Sequence, residues 1–129
     1  MIVDYAALAD YASDRGGAVV ACGLGINRLS VKQVPISHPQ VFLVAQLRDE
    51  VGTSEVRKVR VGLMDPAGGC LSEINGSLHF TATGEGDRVG RIVLGFYSVQ
   101  FPRYGTYLFQ VAVEPDCSLT LPFHVRPPV

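Results

Sequence analysis

Two segments late in the sequence alternate apolar and polar residues with a period of two. From Thr106 to Glu114 the odd positions are Tyr, Phe, Val and Val, and Ser118 to Arg126 repeats the pattern with Leu, Leu, Phe and Val. Successive side chains of a β-strand point to opposite faces, so this period indicates strands with one buried face. Residues 114–117, Glu-Pro-Asp-Cys, are typical of a turn, and the two segments are therefore predicted to form a hairpin.

Further strands are predicted upstream. Residues 59–63 alternate and run into an Asp-Pro-Ala-Gly-Gly turn, while Val41–Leu47 and Val89–Phe101 are apolar on both faces. The first of these two segments is expected to be a central strand, and the second to place Val93, Tyr97 and Val99 on one face. Another strand is expected to carry four residues on one face and two glycines on the other: Val20, Cys22, Leu24 and Ile26, against Gly23 and Gly25.

Turn-rich stretches separate these segments at regular intervals, at 13–17, 35–39, 49–55, 66–70, 83–88, 102–105 and 114–117. No helical runs lie between them. This pattern predicts an all-β chain: an antiparallel β-sandwich of seven to nine strands, immunoglobulin-like or C2-like in general architecture.

The length and charge of the chain narrow the classes of protein further. A chain of 129 residues buries about two-thirds of its surface, enough for one core, so residues 1–129 are predicted to be a single β-sandwich domain. Charged residues make up 18%, against about 25% in ordinary chains, and 11 basic residues nearly balance 12 acidic ones. This composition argues against a disordered chain and against a free-standing basic nucleic-acid binder.

The segment from Asp4 to Ser13 is ambiguous. Its Ala-rich sequence after an Asp favours a helix by propensity. The following Asp-Arg-Gly-Gly at 14–17 looks like a hairpin turn and favours a strand. Both interpretations stay open from the residues alone, with the strand preferred.

Several short motifs resemble a family of short bacterial proteins that carries only a domain-of-unknown-function label. They are Asp4-Tyr5-Ala6 with Ala9-Asp10-Tyr11-Ala12, Gly17 and Gly23; Pro35 with His38-Pro39; Leu63, Asp65, Pro66 and Gly68; and Phe101-Pro102 with Gly105, Tyr107 and Phe109. The resemblance implies a β-sandwich whose N-terminal segment is a strand. It implies no activity, and no site residue is transferred from it.

Tyr107 follows a Pro/Gly corner as the chain enters a predicted strand. Immunoglobulin-like sandwiches use a Tyr at such a corner, with its hydroxyl hydrogen-bonded to nearby backbone. A structural role is therefore expected for Tyr107.

The cysteines and the start of the chain bear on its compartment. Cys22, Cys70 and Cys117 are an odd, widely spaced set, which predicts buried free thiols in a reducing cytoplasm rather than disulfides or a zinc site. No signal peptide and no apolar stretch long enough to span a membrane are recognised, so a cytoplasmic location and no membrane span are expected.

No catalytic, cofactor-binding or metal-binding residue is assigned. His38, His79 and His124 show no paired spacing, and Cys117 and His124 would lie about 20 Å or more apart on one strand. There is no nucleophile elbow, and the loop glycines, such as those at 84 and 86, open no phosphate-binding helix.

The charged residues are predicted to be structural. The loop acids, at 49, 50, 65, 85, 87, 114 and 116, are scattered and are read as turn-forming and solubilising groups rather than a calcium site. The Arg57-Lys58-Arg60 run splits across two strand faces and is read as a solvated edge, so no nucleic-acid partner is expected.

Three functions remain open. The preferred hypothesis is a non-enzymatic protein that acts by association, as a homo-oligomer or a subunit of a bacterial assembly. Its basis is the apolar surplus on Val41–Leu47 and Val89–Phe101, whose outer faces need a cover. The alternatives are a carrier of a small apolar ligand held between the sheets, and a hydrolase-type enzyme with an unrecognised site.

Overall fold

The computed structural model describes all residues, 1–129, and contains ten β-strands and no helix. In chain order the strands are β1 (Ile2–Ala9), β2 (Tyr11–Asp14), β3 (Val19–Cys22), β4 (Arg28–Ser30), β5 (Ile36–Asp49), β6 (Val56–Met64), β7 (Cys70–Ala82), β8 (Arg88–Phe101), β9 (Gly105–Val113) and β10 (Cys117–Arg126). The all-β prediction is confirmed. There are ten strands rather than seven to nine, because β2, β3 and β4 are too short to show a period.

Eight strands form one sheet in the order β1-β5-β8-β7-β6-β9-β10-β4, and β2 pairs only with β3. Every pair is antiparallel except β10 with β4. The sheet is continuous and curled, so the predicted sandwich of two separate sheets is not confirmed. No helix of the structure could cross a membrane.

One hydrophobic core fills the concave side of the curled sheet. It joins side chains of β5 and β8 to those of β6, β9 and β10. Phe96 of β8 meets Phe109 of β9 edge-on at 5.2 Å between ring centroids, and Phe101 stacks on Phe123 of β10 at 5.4 Å. These contacts hold together the two arms of the curled sheet, one formed by β5 and β8 and the other by β6, β9 and β10.

The predicted hairpin is confirmed, because β9 and β10 pair from Gly105↔Val125 to Val113↔Cys117. The predicted corner is confirmed with it. The hydroxyl of buried Tyr107 donates to the carbonyl oxygen of Arg103 at 2.7 Å and accepts from the Arg103 N–H at 3.1 Å. Burial raises the pKa of this phenol.

The N-terminal segment is extended, as preferred from the sequence. β1 pairs with β5, and β2 and β3 form a hairpin whose loop, residues 15–18, overlaps the turn predicted at 14–17. This hairpin covers the convex face of β5. Ala9, Ala12, Phe42 and Val44 are buried there as a second small core, with Val19, Ala21 and Val93 packed against it. The apolar outer face of Val41–Leu47 is therefore covered, as predicted, and its cover is the chain itself rather than a partner.

Near the end of β8, the positions whose side chains enter the main core change from even-numbered to odd-numbered residues. Ile92 and Phe96 are buried in the main core, but so is Val99, which the alternation had assigned to the other face with Tyr97. The change lies at Ser98, which has a left-handed φ of 51°, and the register with β5 is unbroken across it, from His38↔Val99 to Gln40↔Tyr97.

Two other predictions are corrected. β3 ends at Cys22, and Gly23 and Gly25 have positive φ in the turn that follows, so Leu24 and Ile26 do not extend that strand. Asp10 occupies the place where a Cβ of Gly23 would lie, as expected of a close approach, but no atom lies within 4 Å of the Cβ position at Gly25. β6, which carries Arg57, lies between β7 and β9 and is not an edge strand.

Candidate functional site

A gap opens inside the main sheet between β7 and β8. β7 pairs with β6 over residues 70–79, from Val56↔His79 to Met64↔Cys70. It pairs with β8 only at its end, where Phe80, Thr81 and Ala82 meet Gly90, Val89 and Arg88. Residues 70–79 of β7 and 91–101 of β8 therefore each present one strand edge without a β-partner, and the two edges border the same gap.

The part of the gap between residues 71–74 of β7 and 95–100 of β8 is apolar and reaches the core, whereas the part beside residues 77–79 is polar and is lined by Arg91 and Asp14. A cavity of about 390 Å³ lies between the strands, and none of the residues that line it is charged. Buried Leu63, Phe96 and Val99 form its floor, while Leu71 and Ile74 of β7 are 41% and 37% exposed beside it. Exposed aliphatic side chains next to an open route into the core are the arrangement that a binding groove requires.

The closed end of the gap depends on a glycine. A Cβ at Gly90 would lie 3.0 Å from Leu78 Cγ and 3.0 Å from Phe80 Cε2. Both side chains are buried and pack directly on this backbone, where β7 and β8 still pair. Leu78 and Phe80 therefore occupy the corner from which the two strands diverge.

A strained residue lies at the open end. Ser98 borders the cavity, and its φ of 51° lies in the left-handed region, which residues other than Gly, Asn and Asp rarely adopt. Such outliers are concentrated at functional sites, where the surrounding structure maintains them. This strained residue makes the gap a stronger candidate than the open, polar groove lined by residues 53–58 with Glu114 and Pro115.

An aromatic cluster flanks the gap on the convex face. Phe42 of β5 meets Tyr11 at 5.3 Å and Tyr97 at 5.7 Å between ring centroids, both edge-on. Gly95, opposite Phe42, makes room, because a Cβ there would lie 2.8 Å from the Phe42 ring. Tyr97 lines the cavity and remains 64% exposed. The second two-sided apolar strand thus keeps one uncovered aromatic residue.

The three histidines are not brought together. His38, His79 and His124 lie on β5, β7 and β10, and no group of three or more His, Cys, Asp or Glu residues is placed to hold a metal ion. Cys117 and His124 are both on the unbroken strand β10, seven positions apart, as the alternation predicts.

The prediction that all three cysteines are buried is wrong. All are free thiols, but Cys22 and Cys70 are exposed and Cys117 is half-buried. Cys22 ends a short surface strand and Cys70 begins the uncovered part of β7, so strand position outweighs the usual preference of this residue type for burial.

Three of the loop acids bond within their turns, as predicted. The carboxylate of buried Asp49 accepts the N–H groups of Val51 and Ser54, and bonds to Ser54 hold its pKa down at about 2. Asp65 accepts two N–H groups of its own turn. Asp87 bonds to Thr83 and pairs with Arg48, which also holds Asp4, and the pKa values of both carboxylates are lowered.

One polar cluster was missed by sequence reasoning. The hydroxyl of Thr106 on β9 lies 2.9 Å from Nδ1 of His124 on β10, and Nη2 of Arg126 lies 3.3 Å from that hydroxyl. A hydroxyl beside an imidazole is the pair that nucleophilic catalysis uses. No carboxylate orients the ring: its polar contacts are with Thr106 and Arg126, both at Nδ1, and Nε2 has none. This geometry supports no acyl-transfer site.

Comparison with known proteins gives the family. The Family of unknown function (DUF6941) matches residues 4–126 of the chain. The chain therefore belongs to this family, and the predicted membership of an uncharacterised family is confirmed. Neither the curated proteins nor the solved structures contain a match.

Proposed function

We propose that this member of the family of unknown function acts by non-catalytic association with another protein, and that it accepts an extended segment of that partner in the gap between β7 and β8. The observation that carries the proposal is the pair of unpaired strand edges facing one cavity. Unpaired strand edges recognise extended peptides through backbone hydrogen bonds, and apolar pockets beside them select the side chains.

The two edges favour a single inserted strand over a second folded copy. A folded copy offers one free edge of its β7, because the other edge already pairs with β6. Only an isolated extended segment can pair with β7 and β8 together. Its side chains would be uncharged, because the cavity lining has no charged residue to pair with.

The outer strands of the sheet support the same choice. β4 has only three residues, and β1 carries Asp4 and an irregularity between Val3 and Tyr5. Short, bulged or charged edges discourage unwanted pairing. Residues 70–79 of β7 form a longer free edge than β1 or β4, with neither proline nor lysine and with Glu73 as their one acid.

Selection from a displayed library of random extended peptides tests the proposal. We expect enrichment of peptides with alternating β-branched or aromatic residues, and at least about tenfold weaker binding to Ile74→Lys, which buries a charge in the gap. The matched control is Val51→Lys, at a residue 78% exposed outside the gap, which should bind as the native protein does. Enriched peptides that bind Ile74→Lys equally well would contradict the proposal.

The oligomeric state separates this proposal from self-association. Light scattering after size exclusion should give a monomer for the native chain. A dimer that Ile74→Lys abolishes and Val51→Lys retains would identify a second copy as the occupant and would refute the proposed partner segment.

A carrier of a small apolar ligand is the second candidate. The observation in its favour is that the cavity has about 390 Å³ and a floor of core side chains, within the range of about 300–1,000 Å³ for ligand pockets. Native mass spectrometry distinguishes the two, since a co-purified apolar molecule lost in Ile74→Lys would favour the carrier.

The proposal also includes the type of sandwich fold and the cellular compartment of the protein. We propose that the two arms of the curled sheet act as the layers of a sandwich, immunoglobulin-like or C2-like, supported by the contact of Phe96 with Phe109. A bacterial, cytoplasmic protein without catalytic activity or nucleic-acid partner is proposed with it. The three free thiols are consistent with a reducing compartment.

A further inference from the structure

The corner formed by β9, β10 and β4 carries basic residues and no acidic ones. β4 lies within residues 15–48, β9 within 88–113 and β10 within 117–129, and none of these three stretches contains Asp or Glu. The whole chain has a net charge of −1, so this corner departs in sign from the rest of the molecule.

A row of polar side chains crosses the three strands. Thr106 is in register with His124, His124 is in register with Arg28, and Arg126 is in register with Ser30. Residues in register share a face of the sheet. The row therefore presents two guanidinium groups, one imidazole and two hydroxyls together.

The hydrogen bonds of this row fix the direction of the imidazole. Arg126 Nη2 lies 3.4 Å from His124 Nδ1, and a guanidinium can only donate, so Nδ1 is the acceptor nitrogen. The Thr106 hydroxyl, 2.9 Å away, donates to the same nitrogen. The proton of the neutral ring is therefore on Nε2, which is left without a partner in the protein.

The cations of this row are not neutralised. Arg48, Arg60, Arg91 and Arg103 each have a carboxylate within 4 Å. Arg28 and Arg126 have none. Arg28 is exposed, and Arg126 is held only by Thr106 and His124. Two guanidiniums without a carboxylate and an imidazole N–H without a partner are a set of donors with no anionic acceptor.

We propose that this row binds the phosphate group of a small molecule. A guanidinium group binds phosphate oxygens with two parallel N–H···O bonds, and the imidazole N–H of this row adds one further donor to those of its two guanidinium groups. The size of the row favours a small ligand over a nucleic acid or a membrane, because β4 has only three residues and the row spans three strands. This site is separate from the gap between β7 and β8.

Titration with inorganic phosphate and pyrophosphate, at constant ionic strength against chloride, tests the inference by backbone and imidazole NMR. We expect saturable shifts at residues 28, 30, 106, 124 and 126. Arg126→Gln and Arg28→Gln should each weaken binding about tenfold. Arg15→Gln is the matched control, because it removes one exposed, unpaired arginine from the β2–β3 turn and should leave binding unchanged.

Two kinds of result would contradict the inference, and thermal melting serves as the control for folding. Shifts that do not saturate, or that Arg15→Gln reduces as much as Arg126→Gln, would show only general attraction of anions. Binding of anionic vesicles or of a single-stranded RNA without any response to phosphate and pyrophosphate would refute a small-molecule site. Unchanged thermal midpoints of the three variants would show that lost binding is not lost folding.

Discussion

Phe42→Ala is the substitution that tests most sharply how the N-terminal hairpin is attached. Phe42 is 6% exposed, although it lies on the convex face of the sheet, because the β2–β3 hairpin covers it. Its ring contacts Tyr11 on one side and Tyr97 on the other. Removing a buried Phe side chain costs about 3–5 kcal/mol of unfolding free energy.

The contacts place the expected loss near the lower end of that range. Tyr97 is 64% exposed, so the cavity left by Phe42 opens toward water and relaxes in part. We expect a loss of about 3 kcal/mol, which is a drop of roughly 10 °C in the melting midpoint for a chain of this size. If the hairpin were detached in solution, Phe42 would already be exposed and the loss would stay below about 1 kcal/mol.

Urea unfolding followed by circular dichroism measures the difference. Tyr97→Ala is the control, because it removes one edge-on aromatic contact from an exposed position and should cost only about 0.5–1.5 kcal/mol. A loss for Phe42→Ala no larger than that for Tyr97→Ala would refute the account of the covered face.

Three further outcomes are expected. Tyr107→Phe leaves the N–H and carbonyl of Arg103 without their partner and should lower the unfolding free energy by about 1–3 kcal/mol, measured by urea unfolding. The pKa of Asp49 is lowered to about 2, so its contribution to stability is complete above pH 4 and disappears as the pH falls toward 2. The Asp49→Asn variant should therefore melt at a lower temperature than the native protein at pH 7, and its melting midpoint should fall less on acidification. Melting midpoints of the two proteins that fall in parallel with pH would contradict this. A thiol reagent added to the native protein should modify both exposed cysteines faster than half-buried Cys117, as peptide mass mapping would show.

The local elements of the fold could be predicted from the sequence because their causes are local. The β9–β10 hairpin follows from period-two alternation around a turn, and Tyr107 follows from its corner. The pair of Thr106 and His124 was also within reach, because a turn at 114–117 already puts these residues opposite each other. Spacing along the chain does not reveal this pair, whereas the register of the hairpin does.

The remaining features depend on which strands meet, and alternation does not contain that information. The cover of Phe42 comes from an Ala-rich hairpin about thirty residues earlier in the chain, whose small side chains allow close packing on β5. The gap exists because β7 pairs with β8 over only three residues. A segment with one free edge has the same alternation as one that is paired on both sides, so no pattern in residues 70–79 predicts the gap.

Amide hydrogen exchange of the isolated protein tests the central claim most directly. Strands paired on one side protect alternate amides, whereas strands paired on both sides protect nearly all of them. We predict that alternate amides exchange rapidly in residues 70–79 of β7 and 91–101 of β8, while β9, paired with both β6 and β10, is protected throughout its centre. Uniform protection of β7 and β8 would mean that the sheet is closed between them, and would contradict the gap and the function proposed from it.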